Sequence, residues 1–228
     1  MASRPGQREL FETVPPLPEG FLYEREFLAA EEEAALLAQI RALPLQAARY
    51  REFTARRRTA SYGGRYDFGA GRLEEAPPIP ALLHPLRARV AARAGVAPEA
   101  FAQALVTEYA PGAPLGWHRD VPDFEVVAGV SLAGRARMRL RPYRPGEAPD
   151  RKAALALELE PRSLYVMRGV ARWSWQHCIS PTKELRYSIT FRTLRAPGAG
   201  AAPGRARRGA ARGRPARPSA GPRTAARS

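Results

Sequence analysis

The stretch "RYSITFR", residues 186 to 192, alternates without a break: Tyr187, Ile189 and Phe191 are aromatic or apolar, while Arg186, Ser188, Thr190 and Arg192 are polar. Successive side chains of a strand point to opposite faces, so the four polar residues share one face and bring two positive charges to it. Two structures fit such a row. An edge strand would leave it in water. A central strand would bury the guanidinium groups, and a buried guanidinium calls for a carboxylate held bidentately, such as one end of a diacid.

Outward from this stretch the same period of two recurs. From Ala102 onward the segments "ALVTEYAPG", "VVAGVSLAG", "ARMRLRPY", "LALELE" and "SLYVMRG" alternate between Pro/Gly-rich turns. The first part of the chain has a different period. "FLAAEEEAALLAQIRALP" sets Leu28, Leu36, Leu37, Ile40 and Leu43 near one helical face, with three acids in its first turns and Pro44 as its stop. "IPALLHPLRARVAARAG" repeats the pattern and ends at Gly95. Helices followed by a run of strands predict an α+β, mainly β fold, with helices packed on one side of an antiparallel sandwich or barrel. Between the two helices, "RRRTASYGGRYDFGAGR" (56 to 72) has no clear period and reads as a long loop or irregular hairpin.

The formal charge is +15 over 228 residues. Eight arginines and no acid lie between Ala196 and Ser228, which leaves 15 − 8 = +7 for the rest, so both parts are basic. A polyanion such as nucleic acid is the expected partner, because binding it releases counterions. The tail has almost no large apolar residue, so disorder is expected there. The single cysteine, Cys178, excludes an intramolecular disulfide framework and a multi-cysteine zinc site. No apolar run approaches the roughly 20 residues that cross a bilayer, and the start lacks the order of a secretory signal. A cytoplasmic monomer without a membrane contact is expected.

Three histidines are available to chemistry. In "GWHRD", His118 and Asp120 stand two apart, and on a strand they would present imidazole and carboxylate together. A third ligand has to come from His84 or His177. His84 has no acid near it in its helix and reads as a histidine without chemistry, whereas His177 ends the strand-like "RWSWQH". Two histidines and a carboxylate on one face of a metal leave three positions open, as non-haem Fe(II) oxygenases require.

The order of "TEYAPG" (107 to 112), "GWHRD" (116 to 120), "GVSLAG" (129 to 134), "SLYVMRGVARWSWQH" (163 to 177) and "RYSITFR" resembles the AlkB-like 2-oxoglutarate- and Fe(II)-dependent dioxygenases. "GFLYEREFLAAEEEAALLAQI" is similar to that family's opening strand and helix, and "RRTASYGGRYDF" to its nucleotide-recognition lid. The resemblance implies a double-stranded β-helix, or jelly roll, spanning residues 21–195, with a lid-like loop at about 50–75. An extension (1–20) and the basic tail (196–228) would lie outside it.

It further implies that His118, Asp120 and His177 bind iron, and that Arg186 takes the distal carboxylate of 2-oxoglutarate with help from Tyr109. Arg192 would lie near the iron end, with Thr107, Ser188 and Thr190 along the cosubstrate. Tyr62, Tyr66 and Arg58 of the lid, and Asp123 after the metal aspartate, are the implied substrate contacts; Phe68 reads as packing. The family's DNA-repair members place an acid two positions after the metal aspartate, where this chain has Pro122.

The implied reaction consumes 2-oxoglutarate and O2, releases succinate and CO2, and removes N-methyl groups from bases of DNA or RNA, single strands above all, as formaldehyde. The same chemistry on tRNA or a protein side chain, and an inactive nucleic-acid-binding module, are the alternatives. "RARMRLR" adds four arginines on one strand face, Arg135, Arg137, Arg139 and Arg141, at about 6.6 to 6.8 Å spacing. That face forms a phosphate track where it is open and pairs with acids where it is covered.

Overall fold

The alternating stretch at residues 186–192 lies at the centre of a sheet. In the computed structural model, which describes residues 16–50, 53–67, 71–150 and 153–196, it has a hydrogen-bonded neighbour on each side. Phe68, most of the expected N-terminal extension and almost all of the arginine-rich tail fall outside the described residues.

The chain opens with strand β1 (Phe21–Glu24) and helix α1 (Ala30–Ile40), followed by β2 (Gln46–Tyr50) and β3 (Phe53–Tyr62). A small hairpin of β4 (Arg65–Asp67) and β5 (Arg72–Glu74) precedes helix α2 (His84–Ala94). Then come β6 (Phe101–Tyr109), β7 (Leu115–His118), β8 (Phe124–Leu132), β9 (Ala136–Pro142), β10 (Leu155–Leu159) and β11 (Leu164–Met167). A short helix α3 (Gly169–Trp173) leads into β12 (Trp175–Ile179), and β13 (Arg186–Leu194) closes the fold.

Seven strands form the larger sheet in the order β1-β11-β8-β13-β6-β3-β2, and four form the smaller in the order β10-β9-β12-β7. Two facing sheets with crossovers between them make the jelly roll anticipated from sequence. On one side of the larger sheet Val106, Val130, Ile189 and Phe191 pack under Ile40, Leu86 and Val90 of the helices. Its other side faces Met138, Leu140, Leu157 and Ile179 of the smaller sheet, together with its own Val127 and Met167. Both helices end as their residues dictate: Gly95 takes φ +64° after α2, a left-handed cap that returns its N–H to the carbonyls of Ala91 and Ala92.

The expectation of a loop over residues 56–72 is corrected. Its first part, residues 56–62, belongs to β3, a ten-residue strand paired with β6 from Arg57↔Tyr109 to Tyr62↔Ala104. Its alternation was hidden because arginines occupy both faces: Arg57, Thr59 and Ser61 on one, Arg58, Ala60 and Tyr62 on the other. Only the β4–β5 hairpin answers to the irregular reading.

Candidate active site

Between the sheets, β7 and β12 set His118 and His177 directly opposite one another, with ring centroids 4.2 Å apart. Strand β7 ends at His118, so Asp120 is not carried there by strand alternation, as the spacing had suggested. The turn is positioned by Arg172 of α3, only 2% exposed, which donates to the carbonyls of Asp120, Val121 and Phe124 at 3.1, 2.7 and 3.0 Å. The carboxylate then comes within 3.7 Å of His177 Nε2, and one ligand atom from each of His118, Asp120 and His177 lies within 4.8 Å of the others.

The electrostatics suit a divalent metal. Burial lowers the proton affinity of both imidazoles, taking His177 down to about 3, with His118 adding to the effect. Burial alone would raise the Asp120 carboxyl, but Arg192, and after it His177 and Arg172, hold it well below the usual carboxylate range. The three ligands are thus unprotonated at neutral pH, the form that binds metal. Asp120 Oδ1 accepts from Arg192 Nε at 2.8 Å, while buried Oδ2 has no partner. A buried carboxylate oxygen left unpaired beside two neutral imidazoles fits an ion between them.

The polar row of β13 lines the same interior. Arg186 is 1% exposed; its Nε donates to Ser131 Oγ at 3.0 Å, its guanidinium lies 4.9 Å from the centre of the Tyr109 ring, and one terminal nitrogen has no partner. The edge-strand reading is thereby excluded, and an unpaired buried guanidinium nitrogen fits a carboxylate ligand. Thr107, Ser188 and Thr190 are buried along the row, and Arg192 spans from Asp120 to Gln103 Oε1. Tyr165 of β11 joins them. Its ring occupies the space where a Cβ at Gly129 would stand, and burial, then Asp120 and Tyr109, push its hydroxyl up to about 12.

The substrate contacts expected from sequence divide. Arg58 and Tyr62 sit on the helix-covered face of the larger sheet, and neither reaches the metal ligands. Arg58 makes two 2.7 Å hydrogen bonds to Glu108, and Tyr62 packs into the core beneath the helices. The residue that faces the site is Arg57, one place earlier and opposite Tyr109; its charge disfavours protonation of His118, and its buried Nε has no partner. Tyr66 lies half-buried on the β4–β5 hairpin, and Asp123 lies before β8 with a carboxylate that makes no ion pair among the described residues.

Trp173, within the stretch "RWSWQH" that reads as strand-like in sequence, belongs instead to α3, where it donates to Glu125 and carries the guanidinium groups of Arg172 and Arg195 on its ring. His84 bonds only to the carbonyl of Ile79, away from the site. Arg172, Ser131, Gln103 and Tyr165 were not anticipated; of these, Ser131 and Tyr165 carried a signal, their positions in segments of period two.

Two imidazoles and a carboxylate close together, with a buried arginine on the same sheet interior of a jelly roll, fit an iron oxygenase of the 2-oxoglutarate type. A model of the 2OG-Fe(II) oxygenase superfamily matches residues 20–192, and the chain belongs to that superfamily. Its members work with Fe(II), 2-oxoglutarate and O2, and the domain is accordingly that of a dioxygenase, an oxidoreductase.

Among solved structures, the fold is similar to that of OsALKBH1, with a TM-score of 0.59 and 17% identity over 78% of this chain and 100% of that one. It is also similar to a Pseudomonas putida prolyl-4-hydroxylase, at 0.53 and 16% over 78% and 94% of the two chains. An uncharacterized protein, L905 of Acanthamoeba polyphaga mimivirus, is 35% identical over 105 residues, 40% of this chain and 48% of that protein. The match thus spans about half the length of that relative. The family match bears out the expected 2-oxoglutarate- and Fe(II)-dependent dioxygenase, and the similarity to OsALKBH1 bears out the AlkB-like resemblance in fold.

Proposed function

We propose that this centre hydroxylates N-alkyl carbons on nucleobases of DNA or RNA, so that the hydroxylated product breaks down to an aldehyde and the unmodified base. The observation that carries the reading is Arg57. Its guanidinium lies on the metal-facing side of β3 with a buried, unpartnered Nε, and its charge is felt at His118. An arginine so placed suits an anionic substrate brought up to the metal, such as the phosphate flanking a flipped base. The +15 charge of the chain supplies long-range attraction for the same partner.

His118, Asp120 and His177 would hold the iron. Fe(II) bound there, with 2-oxoglutarate and O2, supplies C–H hydroxylation coupled to decarboxylation of the cosubstrate to succinate and CO2. Arg186, with Ser131 and Tyr109, would take the distal carboxylate, while Thr107, Ser188 and Thr190 line the passage to the metal. Arg192 binds one oxygen of Asp120 and leaves the other, without a hydrogen-bond partner, as the one that would take the ion. Tyr66, on the hairpin that follows β3, is the remaining aromatic candidate for holding the base.

The test is to give the protein Fe(II), 2-oxoglutarate and a methylated single-stranded oligonucleotide beside a His118→Ala control. Formaldehyde and succinate in equal amounts, both lost in the control, are expected. Succinate without formaldehyde would move the substrate to another class, such as a protein side chain, and neither product would leave an inactive binding module.

A further inference from the structure

The outward face of the smaller sheet carries the arginines of β9, and they do not share one fate. Arg135 pairs with Glu160 at 2.7 Å and Arg137 with Glu158 at 3.5 Å, so the N-terminal end of the row is neutralised. Among the described residues, Arg139 and Arg141 have no carboxylate partner. Their guanidinium carbons lie instead 5.5 and 4.2 Å from the centre of the Trp117 ring, which reaches them from β7 across the intervening β12. Arg141 is steadied further by a 2.9 Å bond from Nε to Gln176. Past the end of β9 the arrangement recurs, with the guanidinium of Arg119 3.8 Å from the Tyr143 ring and bonded to the carbonyl of Trp173.

Three arginines thus lie against aromatic rings with no carboxylate among the described residues to neutralise them, and Arg119 lies between two metal ligands in sequence. A guanidinium laid on an indole or phenol ring keeps its N–H edge for another acceptor, and the ring restricts its rotamers before any ligand arrives. Residues two apart on β9 are separated by about 6.6 to 6.8 Å, a span comparable to that between successive phosphates of an extended strand. An acidic protein segment would be drawn to the whole row less evenly, since Glu158 and Glu160 already occupy its other end.

We infer that the outer face of the β10-β9-β12-β7 sheet is a phosphate track for single-stranded nucleic acid, in which Arg139 and Arg141 grip the backbone and Arg119 turns it towards the iron. Trp117 is a positioning residue that holds the first two arginines in place. The direction of the strand towards the metal rests on the proposed nucleic-acid substrate, whereas binding to the track does not require turnover.

The experiment measures binding of a labelled, unmodified single-stranded DNA oligonucleotide to the full chain by fluorescence anisotropy across salt concentrations, for the wild type, Arg139→Ala/Arg141→Ala, Trp117→Ala and Trp117→Phe. Each phosphate contact on a single strand contributes about 0.7 to the slope of log K against log salt, so loss of two lowers the slope by about 1.4. The difference in affinity between wild type and double variant then shrinks about sevenfold as salt rises from 50 to 200 mM. Trp117→Ala should follow the double variant and Trp117→Phe should recover part of the loss, with thermal unfolding showing that each variant is folded.

A wild type that binds while the double variant keeps its slope and affinity would overturn the inference, as would a wild type that does not bind or that releases the strand to polyglutamate as readily as to unlabelled DNA. Formaldehyde release from the methylated oligonucleotide is read separately. Its absence with the slope change present removes the proposed reaction and leaves the track; its presence without the slope change does the reverse.

Discussion

His118 and His177 form a cross-strand pair, one on β7 and the other on β12, whose rings stand 4.2 Å apart. Sheet pairing thereby sets the distance between two imidazoles that are 59 positions apart in sequence, and burial keeps both neutral. Replacing either with alanine removes a metal ligand, a larger loss than the roughly 10–100-fold that follows removal of a group behind a ligand. Succinate formation in His118→Ala and His177→Ala should fall by more than about 100-fold. Near-wild-type turnover in either would move the iron elsewhere.

Arg186 is buried with one nitrogen unsatisfied, an arrangement costly to the folded protein unless a ligand completes it. Arg186→Gln keeps a donor but loses the charge. Charge-assisted bonds contribute about 1.5–3 kcal/mol each, so the KM for 2-oxoglutarate should rise about 10- to 100-fold. The unfolding temperature of the ligand-free protein should stay level or increase. A KM unchanged from wild type would show that the cosubstrate binds away from this arginine.

Arg172 ties the turn after β7 to α3 through three carbonyls, among them that of the metal aspartate. Arg172→Met preserves much of the bulk while removing all three of these bonds, at a cost on the order of 2–4 kcal/mol. The expected outcome is a lower unfolding temperature together with weaker Fe(II) activation, seen as a rise in the iron concentration needed for half-maximal succinate formation. Loss of stability with unaltered iron dependence would make the residue a structural strut that does not act on Asp120.

How much was legible in the sequence follows from what each residue depends on. The strand of Arg186 to Arg192 could be read because apolar and polar residues alternate on it, and the helices because their apolar residues recur at helical spacing. The metal ligands were legible as types at a spacing, although the reason Asp120 reaches the site was not. That reason is Arg172, a contact across 52 positions that leaves no periodic mark. The choice of Arg58 over Arg57 failed because three successive arginines mask the strand beneath them. On a sheet, an error of one position carries a side chain from the metal to the opposite face.

That opposite face yields a further expectation. Glu108 is nearly buried there, accepting two 2.7 Å bonds from Arg58 and a third from the Tyr187 hydroxyl at 2.7 Å. Arg58 is the main cause of a carboxyl pKa lowered from the ordinary 4.5. Because the folded value lies below the unfolded one, the unfolded chain takes up the proton first as pH falls. The stabilising contribution is therefore complete above about pH 4.5 and is lost as pH drops through the folded value. The wild type should unfold at a higher temperature than Glu108→Gln at pH 7, and the two should converge in acid. A difference independent of pH would assign the role of Glu108 to packing, with the arginine pair a passive surface contact.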